Sequence, residues 1–516
     1  MGFAFNVRKD NVTPPEVFNW RLFWVIFVAA AGSVIFGYDL AFIGGVFSLP
    51  SFIRRFELRG QDAGAIQAHM VNTFQGGAFF GVMMFYYFNE RFGRRVALIA
   101  AGWVFNIGVV MQMACGGNIP VFYIGRFVSG LGIGGTTFVI PQFLSESAPA
   151  VARGGIVGCF EIGVQVGTIT GFWINYGVER QVSPVGDRQW FIPIAFQFIP
   201  ASLLIIGLLF LPESPRWYYA RGRRAQAEES LTWLRNLSVE HPYVAEELAD
   251  YERQMEHELL ITSASGFRAV VSETFNKKMI PRLIHGCLLM IFQNSTGINA
   301  MNNFSVTFFQ TLGFHGSSAK LLSTGIYGLV KGAAAVITVS HVCILDVLRG
   351  CLYSITDSFH TTREPNGASH SAAAFIYIFG AGYAIGWNLP WIIASEIFPN
   401  RIRSFCLVMT TCSHWLGEFY VSYAVTYMFK SITYGTFLFF GTMSVLGAVY
   451  MYIFVPETSG VALENMDILF ESKGLAKQQM KAYQSYLESR EEIRGIKTGG
   501  SVDLADENVE ALKHAK

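Results

Sequence analysis

Charge is scarce in this chain of 516 residues: Asp, Glu, Lys and Arg together make up 15% of it, against about 25% in a soluble domain. That deficit excludes an ordinary water-soluble globule. A net charge of +1 leaves no basic footprint for a phosphate backbone, so nucleic acid is not expected as a partner. The seven cysteines, among them Cys115, Cys159, Cys287 and Cys412, are scattered with no paired spacing. They read as small core residues, which excludes a disulfide framework and a thiolate metal site. No nucleophile and base or metal-ligand constellation stands at usable spacing, so neither an enzyme nor a cofactor is expected. A cleavable signal peptide is not expected either, because about 19 mostly polar residues, including Arg8, Lys9, Asp10 and Glu16, precede the first apolar run.

What the chain has in abundance is apolar length. Hydrophobic residues make up 52%, with 52 glycines and 46 phenylalanines, the composition of membrane helices that approach through small residues and fill gaps with aromatics. Runs long enough to span a bilayer as helix, about 20 residues, begin near Trp20, Met70, Val96, Val121, Gly155, Phe191, Ile280, Lys320, Ala372, Phe405 and Tyr434. The pattern predicts an all-α, multi-pass membrane protein with about eleven visible spans.

Lys and Arg concentrate between Pro212 and Arg282, at Arg216, Arg221, Arg223, Arg224, Arg235, Lys277 and Lys278, which predicts a cytoplasmic loop there and a cytoplasmic N-terminus six spans earlier. The expected organisation is a cytoplasmic tail over 1–19, a six-helix bundle over 20–211, a loop with short helices over 212–279, a second bundle over 280–456, and a cytoplasmic tail over 457–516. Motifs recur in the same order in both halves. Pro141-Gln142-Phe143-Leu144-Ser145-Glu146 to Arg153 is echoed by Pro390-Trp391-Ile392-Ile393-Ala394-Ser395-Glu396 to Arg403, and Pro212-Glu213-Ser214-Pro215-Arg216 by Pro456-Glu457-Thr458-Ser459-Gly460. Such echoes predict a duplicated bundle. The tail beyond Lys473 carries one possible helix near Lys477 to Arg494 and reads as solvated.

One echo fails. Asn89-Glu90-Arg91-Phe92-Gly93-Arg94-Arg95 should return after the eighth span, where the chain reads Leu345-Asp346-Val347-Leu348-Arg349-Gly350-Cys351. The stretch to Ser371 adds Asp357, His360, Arg363, Glu364 and His370, each charge costing about 2.5–3.5 kcal/mol at a helix centre. Residues 347–371 are therefore not expected to cross the membrane. Without a ninth span the last two helices would be inverted, so the segment reads as a defect of the bundle or a fault in the gene's exon boundaries.

These motifs together resemble the sugar porter branch of the major facilitator superfamily over nearly the whole chain except 347–371. Within that branch Tyr38-Asp39-Leu40-Ala41-Phe42-Ile43-Gly44, Gly171-Phe172-Trp173-Ile174-Asn175-Tyr176-Gly177 and Ser295-Thr296-Gly297-Ile298-Asn299-Ala300 resemble fungal quinate permeases. The resemblance implies the major facilitator fold, with twelve helices in two six-helix bundles, rocker-switch alternating access and proton-coupled uptake at the plasma membrane.

Intramembrane charges mark functional positions by default. Asp39 in the first span and Arg126 in the fourth should reach similar depth, and the resemblance assigns them a proton switch; a static ion pair is the alternative. The fifth span carries Glu161, which by resemblance matches the glutamate of the quinate-permease group, and the eighth carries Lys331, three residues after Gly328, which by resemblance aligns with a sugar-contacting position, so Lys331 shares that helix face. Lys331 is expected to meet a substrate carboxylate with Glu161 as its partner in the empty site, or the two form a structural bridge. By resemblance Gln293, Asn294, Asn299 and Trp391 line the substrate cavity; interhelical hydrogen bonds alone would also explain the amides. The set Glu90, Arg91, Arg94, Arg95, Glu146, Arg153, Glu396 and Arg403 resembles the cytoplasmic gate network. His414 and Glu418 stand where the family usually presents asparagines.

The expected function is proton-coupled uptake of quinate or a related polyhydroxylated solute, with small solute, protons and lipid as partners. Transport of a neutral hexose or pentose is one alternative, against which Lys331 and Glu161 count. A non-transporting nutrient sensor or an inactive truncated product is the other.

Overall fold

The computed structural model describes residues 13–58, 62–261, 267–311, 317–340, 367–387, 389–432, 435–456, 469–470 and 475–486. No strand occurs among the described residues. The first half comprises α1 (Trp20–Val46), α2 (Pro50–Arg55), α3 (Ala63–Phe92), α4 (Arg94–Ala114), α5 (Ile119–Ser147), α6 (Arg153–Gln181), α7 (Arg188–Phe196) and α8 (Phe198–Leu209). The connecting loop folds into α9 (Pro215–Ala220), α10 (Arg224–Arg235), α11 (Pro242–Ile261) and α12 (Phe267–Thr274). The second half comprises α13 (Ile280–Ser295), α14 (Ile298–Thr311), α15 (Ser317–Ser340), α16 (Gly367–Gly386), α17 (Leu389–Glu396), α18 (Asn400–Ser431) and α19 (Gly435–Phe454).

Among the described residues six stretches are long and apolar enough to cross a membrane: Pro15–Val46, Arg94–Ala114, Ile119–Ser147, Arg153–Gln181, Arg188–Leu209 and Gly435–Phe454. Several other long helices carry more polar residues because they line the interior. Large apolar side chains such as Trp20, Phe23, Phe80, Trp103 and Leu209 face outward, as lipid-facing surface requires.

Small residues set close crossings. A Cβ on Gly130 would lie 2.1 Å from the Phe74 carbonyl oxygen, and one on Gly134 2.1 Å from that of Ala78, so α3 and α5 touch backbone to backbone. Contacts advance together along both helices, which therefore run parallel, with α4 returning the chain between them. In the second half a single predicted span divides into α13 and α14 at Gly297, whose φ of +87° favours glycine.

The second half repeats the parallel pair. Gly380 meets Tyr327, Lys331 lies over the Tyr383 ring, and Ala384 packs on Ala334 and Ala335, so α15 and α16 run in the same direction. Ser340 and Gly367 consequently stand at opposite ends of that pair, about 36 Å apart at ~1.5 Å rise per residue over the 24 residues of α15. The polar segment assigned to 347–371 lies outside the described residues up to 366, while its last five residues open α16 and so belong to a helix.

The inversion that an eleven-span count would impose on the last helices does not occur in α18. Along α18, Phe405, Cys412, Glu418 and Tyr423 meet Tyr86, Phe79, Gln75 and His69 of α3 in turn, placing α18 antiparallel to α3. That is the orientation a completed repeat gives. Residues 476–486 of the tail are helical where a helix was expected, but that helix is not solvated all round: Ala476 and Tyr483 are buried.

Candidate functional site

Asp39 and Arg126, predicted at matching depth on α1 and α5, meet in a two-pronged pair. Arg126 Nη1 donates to Asp39 Oδ1 at 2.7 Å and Nη2 to Oδ2 at 3.0 Å. Both side chains are 1% exposed. Arg126 Nε donates to the Met70 carbonyl at 3.1 Å, and its guanidinium lies 4.2 Å from the centre of the Phe74 ring. An ion pair so enclosed must satisfy its hydrogen bonds within the protein.

The amides gather around the break at Gly297. Asn299 Nδ2 donates to Asn294 Oδ1 at 2.7 Å, and Gln293 Nε2 donates to the Trp387 carbonyl at 2.8 Å while its Oε1 has no partner. Asn294 Nδ2 also lies 3.0 Å from Nδ1 of His414. The Trp391 ring lies tilted against His414 at 4.8 Å between ring centres and against Phe160 of α6 at 6.0 Å. Gln293, Asn294, Asn299, Trp391 and His414 thus form one cluster with a polar floor and aromatic walls.

Glu161 and Lys331 face one another across the contact of α6 with α15, and Lys331 is 3% exposed. They form no ion pair at contact distance. Glu161 instead accepts from Gln165 Nε2 at 2.5 Å, and the Lys331 ammonium lies 5.7 Å from the Tyr383 ring centre. A direct bridge is therefore not the arrangement seen: the cation and the carboxylate stand on neighbouring helices without touching.

At the end of the bundle next to the connecting loop, Arg94 makes a two-pronged pair with Glu146, with both bonds 2.9 Å long, and lies 3.8 Å from Glu90. Ser214 Oγ donates to Glu146 at 2.5 Å. The Glu213 carboxylate caps α4, accepting from the backbone N–H of Arg94 at 2.8 Å, of Arg95 at 3.0 Å and of Ser214 at 2.9 Å. Burial pushes the Glu213 carboxyl above its ordinary value, against the N–H donors and Arg94, which pull it down. Arg95 Nη2 donates to the Leu209 carbonyl, Arg403 holds the Phe398 carbonyl at 3.1 Å, and Arg91 is exposed. Gln142 Nε2 links the halves by donating to Ser404 Oγ at 3.0 Å. Arg153 opens α6. Glu396 ends α17, and its side chain lies outside the described residues.

Three participants were not singled out from the sequence: Gln75, Asn303 and Tyr383. Gln75 and Asn303 are amides within otherwise apolar helices, and that polarity was the available signal. Tyr383 reads as one more membrane aromatic until its position over Lys331 is seen.

Residues 25–470 match the family model described as sugar (and other) transporter. The chain belongs to this family, within the major facilitator superfamily, and is a multi-pass membrane transporter of sugar type. It is 36% identical over 487 residues to a quinate permease of Emericella nidulans, covering 90% of this chain and 91% of that one. It is 35% identical over 529 residues, 97% of each chain, to a protein of Aspergillus fumigatus named "Probable quinate permease". Among solved structures, the proton:xylose symporter XylE bound to 6-bromo-6-deoxy-D-glucose superposes with a TM-score of 0.74 at 27% identity, covering 87% of this chain and 99% of that one. The inward-open form of XylE from E. coli gives 0.68 at 26% identity over the same shares.

Proposed function

We propose that this transporter takes up quinate or a closely related polyhydroxylated carboxylate together with protons, by alternating access at the plasma membrane, with the 212–279 loop in the cytoplasm. The observation that carries the solute assignment is Lys331, a buried cation set apart from Glu161 beside a cluster of amides. A neutral sugar has no use for that cation. A carboxylate beside Lys331 receives charge-assisted hydrogen bonds, and Gln293, Asn294 and Asn299 serve the hydroxyls by donating and accepting. Likeness to proteins named as quinate permeases supports the same choice.

Proton coupling rests on Asp39 and Arg126. Protonating the carboxylate removes the charge that holds the guanidinium, so the pair has two discrete arrangements that a transport cycle can alternate. Likeness to a proton:xylose symporter favours coupling, and also keeps pentose or hexose transport as the second reading. The cytoplasmic set around Arg94, Glu146, Glu90, Arg91, Arg95, Arg153, Glu396 and Arg403 acts as the inner gate.

The test is uptake of labelled quinate, glucose and xylose into transporter-null yeast, with Asp39→Asn alongside the parent. Quinate should accumulate against its gradient in the parent. In Asp39→Asn accumulation should vanish while downhill exchange partly survives. Undiminished uphill uptake by Asp39→Asn would sink the proton assignment, and glucose uptake without quinate uptake would sink the solute assignment.

A further inference from the structure

A second buried carboxylate lies one helical step from the amide cluster. Glu418 on α18 is 0% exposed, and its Oε1 accepts from Gln75 Nε2 of α3 at 3.2 Å and from Asn303 Nδ2 of α14 at 3.4 Å. Its other oxygen, Oε2, has no hydrogen bond. Four residues earlier on the same helix face, His414 is 3% exposed, and its Nε2 lies 3.6 Å from Oε2, also without a hydrogen bond. His414 Nδ1 faces Asn294 Nδ2 at 3.0 Å; an amide nitrogen only donates, so Nδ1 accepts and the ring proton sits on Nε2. A buried N–H donor thus points at a buried carboxylate oxygen just beyond hydrogen-bonding range.

The arrangement closes an otherwise continuous polar chain. From the amides it runs Asn299 to Asn294 to His414, and from the far side Gln75 and Asn303 reach Glu418; its one open link is His414 to Glu418. By helix rise Glu418 lies about 27 Å along α18 and Asp39 about 28 Å along α1 from their ends on the loop side, so the two carboxylates share a depth. His414 lies one turn lower, level with Asn294. The charged and titratable groups that face Glu418 are Asp39 on α1, Arg126 on α5, His414 on α18 and Tyr383 on α16. From α3 and α14 the described partners are the amides Gln75 and Asn303. Unlike Asp39, Glu418 has no guanidinium in contact, and an enclosed carboxylate with no ion-pair partner favours holding a proton.

We propose that Glu418 is a second proton-binding site of this transporter, with His414 as the partner that closes on it when a solute engages Asn294. The proton resides on Oε2; as the Nε2–H of His414 comes within hydrogen-bonding distance it stabilises the carboxylate, the Oε2–H bond breaks and the proton passes to water on the side to which the transporter then opens, leaving Glu418 ionised and His414 neutral. Solute occupancy at the amides is thereby linked to the charge at the depth of Asp39 and Arg126. This inference rests on the transport reading for its role in the cycle, while the proton site itself is testable without transport.

The test is infrared titration of the purified full-length chain in lipid nanodiscs. The parent should show a protonated-carboxyl band that persists in Asp39→Asn and in Glu161→Gln and is lost in Glu418→Gln. An unchanged spectrum in Glu418→Gln overturns the proposal. Should that variant fail to fold, Glu418→Asp decides: a shifted band is expected, and an unshifted one overturns the assignment. His414→Asn should change the pH at which the band half-converts, and an unchanged pH removes His414 from the pair. Absence of any solute uptake by the parent would sink the transport reading and leave the band as evidence on the proton site.

Discussion

The two halves of the molecule share an order of helices but not a degree of closure. In the first half α4 stands beside the parallel pair α3 and α5, and half of the Arg188–Leu209 window, formed by α7 and α8, is buried. In the second half the parallel pair α15 and α16 recurs, yet only 11% of the equivalent window, Gly435–Phe454, is buried. The chain between α15 and α16, where the counterpart of α4 belongs, lies outside the described residues. The halves also differ in chemistry. Asp39 and Arg126, the fully closed ion pair, belong to the first, whereas Gln293, Asn294, Asn299, Lys331 and Trp391 all belong to the second. The first half holds its deepest charges in a closed ion pair, whereas the second holds the Lys331 ammonium outside any ion pair, beside Tyr383.

The strongest way to break this contrast is to open the closed pair. Arg126→Ala leaves Asp39 as an uncompensated buried charge, at a cost of about 3–5 kcal/mol, and should abolish uptake and lower delivery to the cell surface. Lys331→Ala should leave delivery intact, since its charge is not locked in an ion pair; surface biotinylation of both variants compares them.

The frames themselves can be compared through glycine. Gly130→Ala drives a methyl into the backbone at Phe74, while Gly380→Ala meets the ring of Tyr327, with 2.6 Å as the shortest approach. A ring can turn aside and a backbone cannot. Gly130→Ala should therefore cost about 3 kcal/mol and Gly380→Ala about 1 kcal/mol, the two ends of the overpacking range, read as unequal losses of Tm in detergent. Equal losses would mean the second half is packed as tightly as the first.

A smaller effect is expected at the link between the halves. Ser404→Ala removes one neutral hydrogen bond, the one from Gln142, worth about 0.5–1.5 kcal/mol. It should shift the balance of inward and outward states by roughly three- to tenfold with little change in Tm, as cysteine accessibility on either side would show.

Much of this was legible in the sequence because membrane helices announce themselves by length, and the order of paired motifs announces duplication. Asp39 and Arg126 could be matched by depth alone, since helix rise is fixed and an intramembrane charge needs a partner. Other features depend on distances that no spacing encodes. Whether Glu161 and Lys331 touch depends on how α6 and α15 pack, so the sequence could not separate a bridge from an open site. His414 and Glu418 stood out only as departures from asparagine, and their facing orphan atoms appear once α3, α13, α14 and α18 are packed. Counting apolar spans leaves the direction of α18 open, because it assumes that every crossing is apolar enough to be counted, whereas its contacts with α3 fix that direction independently.

The central claim, that a buried lysine selects a carboxylated solute, is tested most directly by comparing Lys331→Ala with the parent for initial uptake of quinate and of any neutral sugar the parent accepts. Loss of a charge-assisted hydrogen bond of about 1.5–3 kcal/mol should weaken apparent quinate affinity roughly ten- to hundredfold and leave the sugar nearly unaffected. Equal losses for both solutes, or none for quinate, would contradict the account.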